Sequence, residues 1–209
     1  MTTPLPADAE TLFARLRDSL KDALGASCNG QAQEGPDALA GVDPTMPVGE
    51  SAAGSGAEAA QAGSAEAPAF IGIHTGGAWL AARLHAELGL SSPLGFLSSA
   101  FYRDDVQARG LSMRMQPTHI DFDVNGRDIV LVDDILHTGR TIRAALNEIF
   151  DYGRPARVRL AVLIDRGERE LPVQPDHVGA RLVLQPGEKL ALSQRTNGMF
   201  ELRVESVQA

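Results

Sequence analysis

Apolar positions along the chain follow two periods. Over residues 9–24, Leu12, Leu16, Leu20 and Leu24 recur every four positions, with Phe13 and Ala23 beside them. That spacing predicts an amphipathic helix, capped by Asp8 and ended by Gly25. From residue 69 onward, short apolar runs alternate with helical ones. Residues 69–73 predict a buried strand, 74–77 (His-Thr-Gly-Gly) a turn, and 78–88 a helix with Leu80, Leu84 and Leu88 on one face. Residues 94–102 predict the next strand. The polar run that follows, as far as Gln116-Pro117, is too long for a tight connection and predicts a mobile loop. Residues 119–122 alternate, and Asn125-Gly126 predicts a hairpin leading into a strand at 129–132. A helix at 142–152, stopped by Gly153, and a strand at 157–164 come next. In the tail, Pro186-Gly187 and Asn197-Gly198 separate the apolar runs 182–184, 190–192 and 199–204, which predicts an antiparallel meander. Alternating strands and helices imply an α/β fold with a mainly parallel sheet flanked by helices. Ligands bind such sheets at the carboxyl edge.

Residues 26–67 break both periods. Ala, Gly, Ser and Pro dominate, with six acids and no Lys or Arg. A segment of this kind buries too little apolar area to offset the entropy of ordering, so it predicts a disordered insert. It divides the chain into a helix (1–25), an acidic insert (26–67) and a folded domain (68–209). The six acids account for most of the formal net charge of −8, which leaves the folded part near neutral and without the bulk signature of a nucleic-acid binder. No apolar run approaches the ~18 residues of a membrane span. The lone Cys28 excludes an intrachain disulfide and a cysteine-rich metal site. A cytoplasmic location is the expectation.

The chemistry concentrates in residues 128–141, Asp-Ile-Val-Leu-Val-Asp-Asp-Ile-Leu-His-Thr-Gly-Arg-Thr. A strand, a glycine-containing turn and a helix start combine free backbone amides with a helix dipole, which suits an anion. Thr138 and Thr141 add hydroxyls, and Gly139 admits close approach. Asp133 and Asp134 follow the strand, where vicinal carboxylates can accept sugar hydroxyls and help hold a hydrated Mg²⁺. The competing reading is an acidic loop whose threonine caps a helix. His74-Thr75-Gly76-Gly77 form a second strand–turn–helix junction and a second candidate anion loop. No nucleophile elbow is present.

Residues 128–141 closely resemble the 5-phosphoribosyl-1-pyrophosphate (PRPP) motif of type I phosphoribosyltransferases. The blocks 151–156 (Asp-Tyr-Gly-Arg-Pro-Ala), 160–167 (ending Asp165-Arg166-Gly167), 169–172 (Arg-Glu-Leu-Pro) and 176–179 (Asp-His-Val-Gly), with Tyr102-Arg103-Asp104-Asp105, are similar to the PyrR family. Members of that family are pyrimidine operon attenuation regulators that are also uracil phosphoribosyltransferases. The resemblance covers the first helix and residues 69 to about 179. It implies the type I phosphoribosyltransferase fold with an antiparallel flap, PRPP and uracil as substrates, UMP and pyrophosphate as products, Mg²⁺ as cofactor, and homo-oligomers. Carried over, Thr75, Gly76, Asp133, Asp134, His137, Thr138, Gly139, Arg140 and Thr141 bind PRPP. Asp165, Arg166 and Val178 surround the base, Arg103 belongs to the catalytic flap, and Asp133 and Asp134 serve the metal indirectly.

Three departures stand out. The family's pyrophosphate loop usually reads Lys-Thr-Arg-Gly, so His74 and Gly76 replace two cations, each worth roughly 1.5–3 kcal/mol as a hydrogen bond to an anion. Glu168, Gln174 and Ala180 replace basic residues that contribute to RNA binding in the family, and a carboxylate there repels phosphate. The acidic insert adds further repulsion. Two readings stay open: a uracil phosphoribosyltransferase, and a leader-RNA attenuation regulator that senses UMP or PRPP in the old active site. Transfer to hypoxanthine or guanine shares the PRPP loop but lacks support from the Arg-Glu-Leu-Pro tail. His137 reads as packing in its loop, His177 as a strand residue and Trp79 as core or interface.

Overall fold

The computed structural model describes residues 3–28, 67–98 and 116–206. Most of the acidic insert, the flap with Arg103, and the end of the strand expected over 94–102 lie outside the described residues. Five strands form one parallel sheet: β1 (Ala69–Ile73), β2 (Leu94–Leu97), β3 (Asp128–Leu136), β4 (Arg157–Asp165) and β5 (His177–Arg181), in the order β2-β1-β3-β4-β5. Helices α1 (Ala9–Cys28), α2 (Gly76–Glu87) and α3 (Arg140–Tyr152) cover it, and β6 (Glu188–Gln194) pairs antiparallel with β7 (Phe200–Ser206).

Both faces of the sheet are buried, which is why its strands read as continuous apolar runs. Phe70, Val130, Val132 and Leu163 pack with Leu12, Leu16 and Leu20 of α1 and Leu80 and Leu84 of α2. Ile71, Ile73, Ile129 and Leu131 pack on the opposite face with Ile142, Ala145 and Ile149 of α3. Asp8 caps α1, its carboxylate accepting the Thr11 amide at 3.0 Å and hydroxyl at 2.7 Å. The β6–β7 hairpin joins the α1–α2 side. Phe200 meets Phe13 at 5.4 Å between ring centres, and Arg83 lies over both rings while donating to Glu10.

Four expectations need correction. Helix α1 runs through Gly25 to Cys28, because one glycine costs a helix only about 1 kcal/mol and nothing beyond it forces a stop. Strand β3 does not end at Val132 but continues through both aspartates to Leu136, held by β4 as far as the Leu136–Asp165 register. Asn125-Gly126 is a turn, but not that of a hairpin. His119 before it pairs antiparallel with Phe96, while the neighbours described for β3 are both parallel. The turn instead docks on the start of β4: Gly126 donates to the Arg154 carbonyl, and Asn125 Oδ1 accepts the Arg154 amide. In the tail, 182–184 form no strand, so the meander reduces to one hairpin turning at Asn197-Gly198.

His177 is buried at the α1–β5 contact, 2.9 Å from the Ser19 hydroxyl. Burial, reinforced by the Arg159 charge, holds its pKa below the ordinary histidine value. Burial alone does the same to His74. The unfolded chain therefore takes up these protons first. Stability is fully present above about pH 6.5 and declines as pH falls through the unfolded-state value toward the depressed folded ones, by at most ~1.4 kcal/mol per pH unit for each histidine. Glu10, Glu87 and Glu188, whose pKa values are lowered, act only below about pH 4.5. Chemical unfolding between pH 7.5 and 5 should show the decline, and His177→Gln should flatten part of it.

Candidate active site

The carboxyl end of β3, the central strand, gathers the expected residues. Asp133 is buried and Asp134 half-buried. Each carboxylate accepts the next backbone amide: Asp133 Oδ1 from Asp134 at 2.9 Å, and Asp134 Oδ1 from Ile135 at 3.0 Å. Successive strand residues point to opposite faces, so the pair serves two sides of the sheet. Asp134 faces the start of α2, where its carboxyl group lies against Gly76.

Past Leu136 the chain turns through His137, Thr138 and Gly139 into α3. Gly139 caps the helix at φ 91°, a conformation that side chains avoid. Thr138 Oγ1 accepts the Arg140 amide at 3.3 Å. Amides in the first turn of a helix lack intrahelical acceptors by construction, which leaves the Thr141 region disposed toward an anion.

The neighbouring junction behaves similarly. The His74–Thr75 peptide is cis. Helix α2 starts at Gly76, two residues earlier than expected, with Thr75 at its cap making no side-chain cap bond and its carbonyl accepting the Trp79 amide. A Cβ on Gly77 would meet the Val132 carbonyl and sit 2.9 Å from Asp133 Cα, so the helix start lies directly on the β3 backbone. His74 stacks against Phe96, with ring centres 5.6 Å apart. Its pKa, held down by burial, keeps it from replacing a lysine's charge near neutral pH. Gly76, next to Thr75, thus meets Asp134 at one edge, in a loop that offers backbone amides rather than cations.

The β4 side closes over the turn at 137–139. The Thr138 carbonyl accepts the amides of Glu170 (3.0 Å) and Leu171 (3.2 Å), Leu136 accepts the Arg166 amide (2.8 Å), and Arg140 Nε donates to Glu170 (2.8 Å). His137 Nε2 lies 3.0 Å from Glu168 Oε2. Asp165, buried at the end of β4, accepts from the Gly167 amide and from Arg169. Arg166 is half-buried; its Nε has no hydrogen-bond partner among the described residues and its Nη2 is 4.0 Å from Glu168. Val178 stands apart from that edge. It pairs with Val162, three positions back along β4, and packs on the α3-side cluster. Sequence reasoning quoted Arg169, Glu170 and Leu171 only as a family motif and gave them no place in the site. Their signal was the dense Arg-Glu-Leu-Pro run directly after Asp165-Arg166-Gly167.

Among the described residues, no group of three or more His, Cys, Asp or Glu is arranged to hold a metal ion. The vicinal carboxylates suit contact with a hydrated cation that a polyphosphate ligand also holds.

Comparison with known proteins agrees with this geometry. Residues 54–182 match the family model described as the phosphoribosyl transferase domain. The chain is 56% identical to a Bifunctional protein PyrR of Nitrosococcus oceani over 128 residues, covering 60% of this chain and 72% of that protein. It is 48% identical to a Bifunctional protein PyrR of Pseudomonas fluorescens over 151 residues, covering 72% of this chain and 89% of that protein. In fold it is similar to a hypoxanthine-guanine phosphoribosyltransferase from Bacillus anthracis, with TM-score 0.54, 16% identity and coverage of 91% and 88% of the two chains. It is also similar to the hypoxanthine phosphoribosyltransferase of Trypanosoma cruzi, with TM-score 0.52, 17% identity and coverage of 86% and 81%. At that identity the two structures speak for the architecture alone. The parallel sheet, the anion turn on its central strand and the sequence matches agree: the chain belongs to the type I phosphoribosyltransferases, and within them to the PyrR family.

Proposed function

We propose that the chain transfers the 5-phosphoribosyl group of PRPP to uracil, giving UMP and pyrophosphate. The observation that carries this reading is the docking of the base-side loop, 165–173, onto the anion turn, 137–141, at the end of the central strand. Thr138, Gly139, Arg140 and Thr141, with His137 beside them, hold the 5′-phosphate through amides and hydroxyls. Asp133 and Asp134 accept the ribose hydroxyls. The amides at the start of α2, with Thr75 and Gly76, take the pyrophosphate end. Asp165 and Arg166 face the base, and Val178 lies beneath it as apolar support. Arg103, outside the described residues, is assigned to the flap on the resemblance alone. Asp133 and Asp134 would help hold a Mg²⁺ ion bound with PRPP, which would supply positive charge to the leaving pyrophosphate.

The reaction needs no covalent intermediate. The C1–oxygen bond to pyrophosphate breaks and its electron pair leaves with the oxygen. Uracil N1 forms the new bond to C1, and the N1 proton passes to solvent or to the departing pyrophosphate. The ribosyl group becomes cationic as the bond breaks, so fixed negative groups beneath it lower the barrier. Incubating the protein with Mg²⁺, PRPP and labelled uracil should yield labelled UMP. Absence of product with uracil and with every other base would sink the reading.

A second activity is favoured by one observation: the 74–77 loop carries no cation near neutral pH, which weakens the pyrophosphate half relative to the family pattern. A site that binds UMP or PRPP but turns over slowly suits a nucleotide-responsive regulator that binds the leader RNA of pyrimidine genes, and the relatives carry the word bifunctional in their names. Glu168, exposed at the mouth of the site, lowers the expected RNA affinity. A UMP-dependent mobility shift of leader RNA that weakens with salt supports this role; no binding at low salt removes it. The same reading places the protein in the cytoplasm as a homo-oligomer. Among the described residues, no helix is long and apolar enough to cross a membrane.

A further inference from the structure

Beneath the junction of the two loops lies one guanidinium with four well-made contacts. Arg169 Nη2 donates to Asp165 Oδ1 at 2.6 Å. Nη1 donates to the carbonyls of His137 at 2.8 Å and Gly167 at 3.0 Å, and Nε to the carbonyl of Val173 at 3.0 Å. The ion pair is shielded, with side-chain exposures of 14% for Arg169 and 7% for Asp165. These acceptors come from three places: the end of β3, the end of β4 and the far limb of the base-side loop. A planar fork with fixed N–H directions satisfies all of them together. It also takes one oxygen of Asp165, which aims the other away from the loop, toward Arg181 at 3.8 Å.

We propose that Arg169 is a positioning residue for the transfer: it ties the Asp165 carboxylate to the His137 carbonyl and so fixes the separation between the base and the 5′-phosphate. The inference deepens the proposed function and rests on it. It concerns a residue that contacts neither phosphate nor base. In-line displacement at C1 needs the attacking nitrogen and the ribose phosphate held in one frame, and a displacement of about 1 Å away from the chemistry can cost on the order of 100-fold. The anion turn has fastenings of its own, since the Thr138 carbonyl holds two amides and Leu136 a third. Those contacts survive without the guanidinium. What its removal takes away is one of the two donors on Asp165 Oδ1, leaving only the Gly167 amide at 2.9 Å, and with it the tie from that carboxylate to the His137 and Val173 carbonyls.

Arg169→Lys is the informative variant. It keeps a cation beside the buried carboxylate, which an unpaired Asp165 needs for folding, but an ammonium lacks the fork that reaches three carbonyls. Calorimetric titration with ribose 5-phosphate reports the anion turn alone, and titration with UMP reports turn and base side together. Arg169→Lys should unfold near the wild-type midpoint and bind ribose 5-phosphate within about threefold of wild type. It should bind UMP at least about tenfold more weakly, with a raised uracil KM and a lowered kcat. Arg169→Gln should show the same split with a lower unfolding midpoint. Wild-type UMP affinity and kinetics in Arg169→Lys, or equal losses for both ligands, would overturn the role. A wild-type protein that binds UMP but forms none from uracil overturns the catalytic reading alone, because the two titrations still test Arg169. A wild-type protein that binds neither ligand overturns both.

Discussion

Gly77→Ala should lower transfer by on the order of 100-fold and destabilise the protein, whereas Gly76→Ala should leave the fold intact and weaken only the site. The two glycines are adjacent at the start of α2, yet they face different obstacles. A Cβ at 77 would press on the Val132 carbonyl and on Asp133 Cα. Both are backbone atoms of the central strand, held by β1 on one side and β4 on the other. Relief requires α2 to lift from the sheet, and forced overpacking of this kind costs about 1–3 kcal/mol. The same lift carries the Thr75 cap and the first-turn amides away from Asp133 and Asp134, so activity should fall by on the order of 100-fold. A Cβ at 76 meets the Asp134 carboxyl group instead. That side chain can rotate, at the expense of the Ile135 amide bond, and the carboxylate then leaves its place. Gly76→Arg, which restores the usual family residue, should therefore not restore family activity on this backbone: the added cation arrives with a displaced Asp134. Unfolding midpoints and PRPP KM values for Gly76→Ala, Gly76→Arg and Gly77→Ala test the distinction. A fully active, stable Gly77→Ala would contradict the close approach, and a Gly76→Arg faster than wild type would show that Asp134 moves without loss.

The strands, the helices and both strand–turn–helix junctions were legible because each rests on local chemistry. Leu12, Leu16 and Leu20 mark one face of α1, and Ile129 to Val132 mark a strand buried on two sides. Glycine and threonine after a strand mark a phosphate turn. The errors lie where distant pairing overrides local signals. Two aspartates look like the end of a strand, yet β3 carries them to Leu136 because β4 supplies partners along its whole length. Asn125-Gly126 is a strong hairpin dipeptide, but its turn is recruited by the Arg154 backbone across the molecule. In the site, Asp133, Asp134 and Thr138 were found from their own neighbours in sequence. Arg169 was quoted only within a motif and left without a role, because its acceptors are mostly carbonyls, which every residue possesses and no pattern of residue types can point to. The crowding at Gly76 was invisible for the same reason: absent charge can be read in a sequence, whereas the carboxyl group that occupies the space cannot. The two explanations differ over Gly76→Arg, where sequence alone expects a gain.

Asp134→Asn should lower kcat by about 100-fold while the fold stays intact, and Asp133→Asn should do likewise at some cost in stability. Asparagine keeps the shape of aspartate and retains an oxygen for the following amide, so the contacts to Ile135 and Asp134 survive. What disappears is one unit of negative charge under a ribose that becomes cationic as pyrophosphate departs. Removing one preorganised electrostatic partner from a shielded site typically costs 10²- to 10³-fold, roughly 2.7–4 kcal/mol of barrier. The loss should fall on kcat more than on KM for PRPP, because the ribosyl charge develops only in the transition state. Burial separates the two positions. Asp134 is half-buried beside the α2 start, where an amide is readily solvated, while Asp133 is 2% exposed. An amide NH₂ at 133 brings two donors into space shaped around a carboxylate, and an unsatisfied buried donor costs about 1–3 kcal/mol. The double variant tests whether the carboxylates act on one developing charge. If they share it, the losses in kcat combine to less than the product of the single effects, and independent roles give the full product. A kcat unchanged in both single variants would remove the carboxylates from the chemistry and leave them as strand residues bonded to their own backbone.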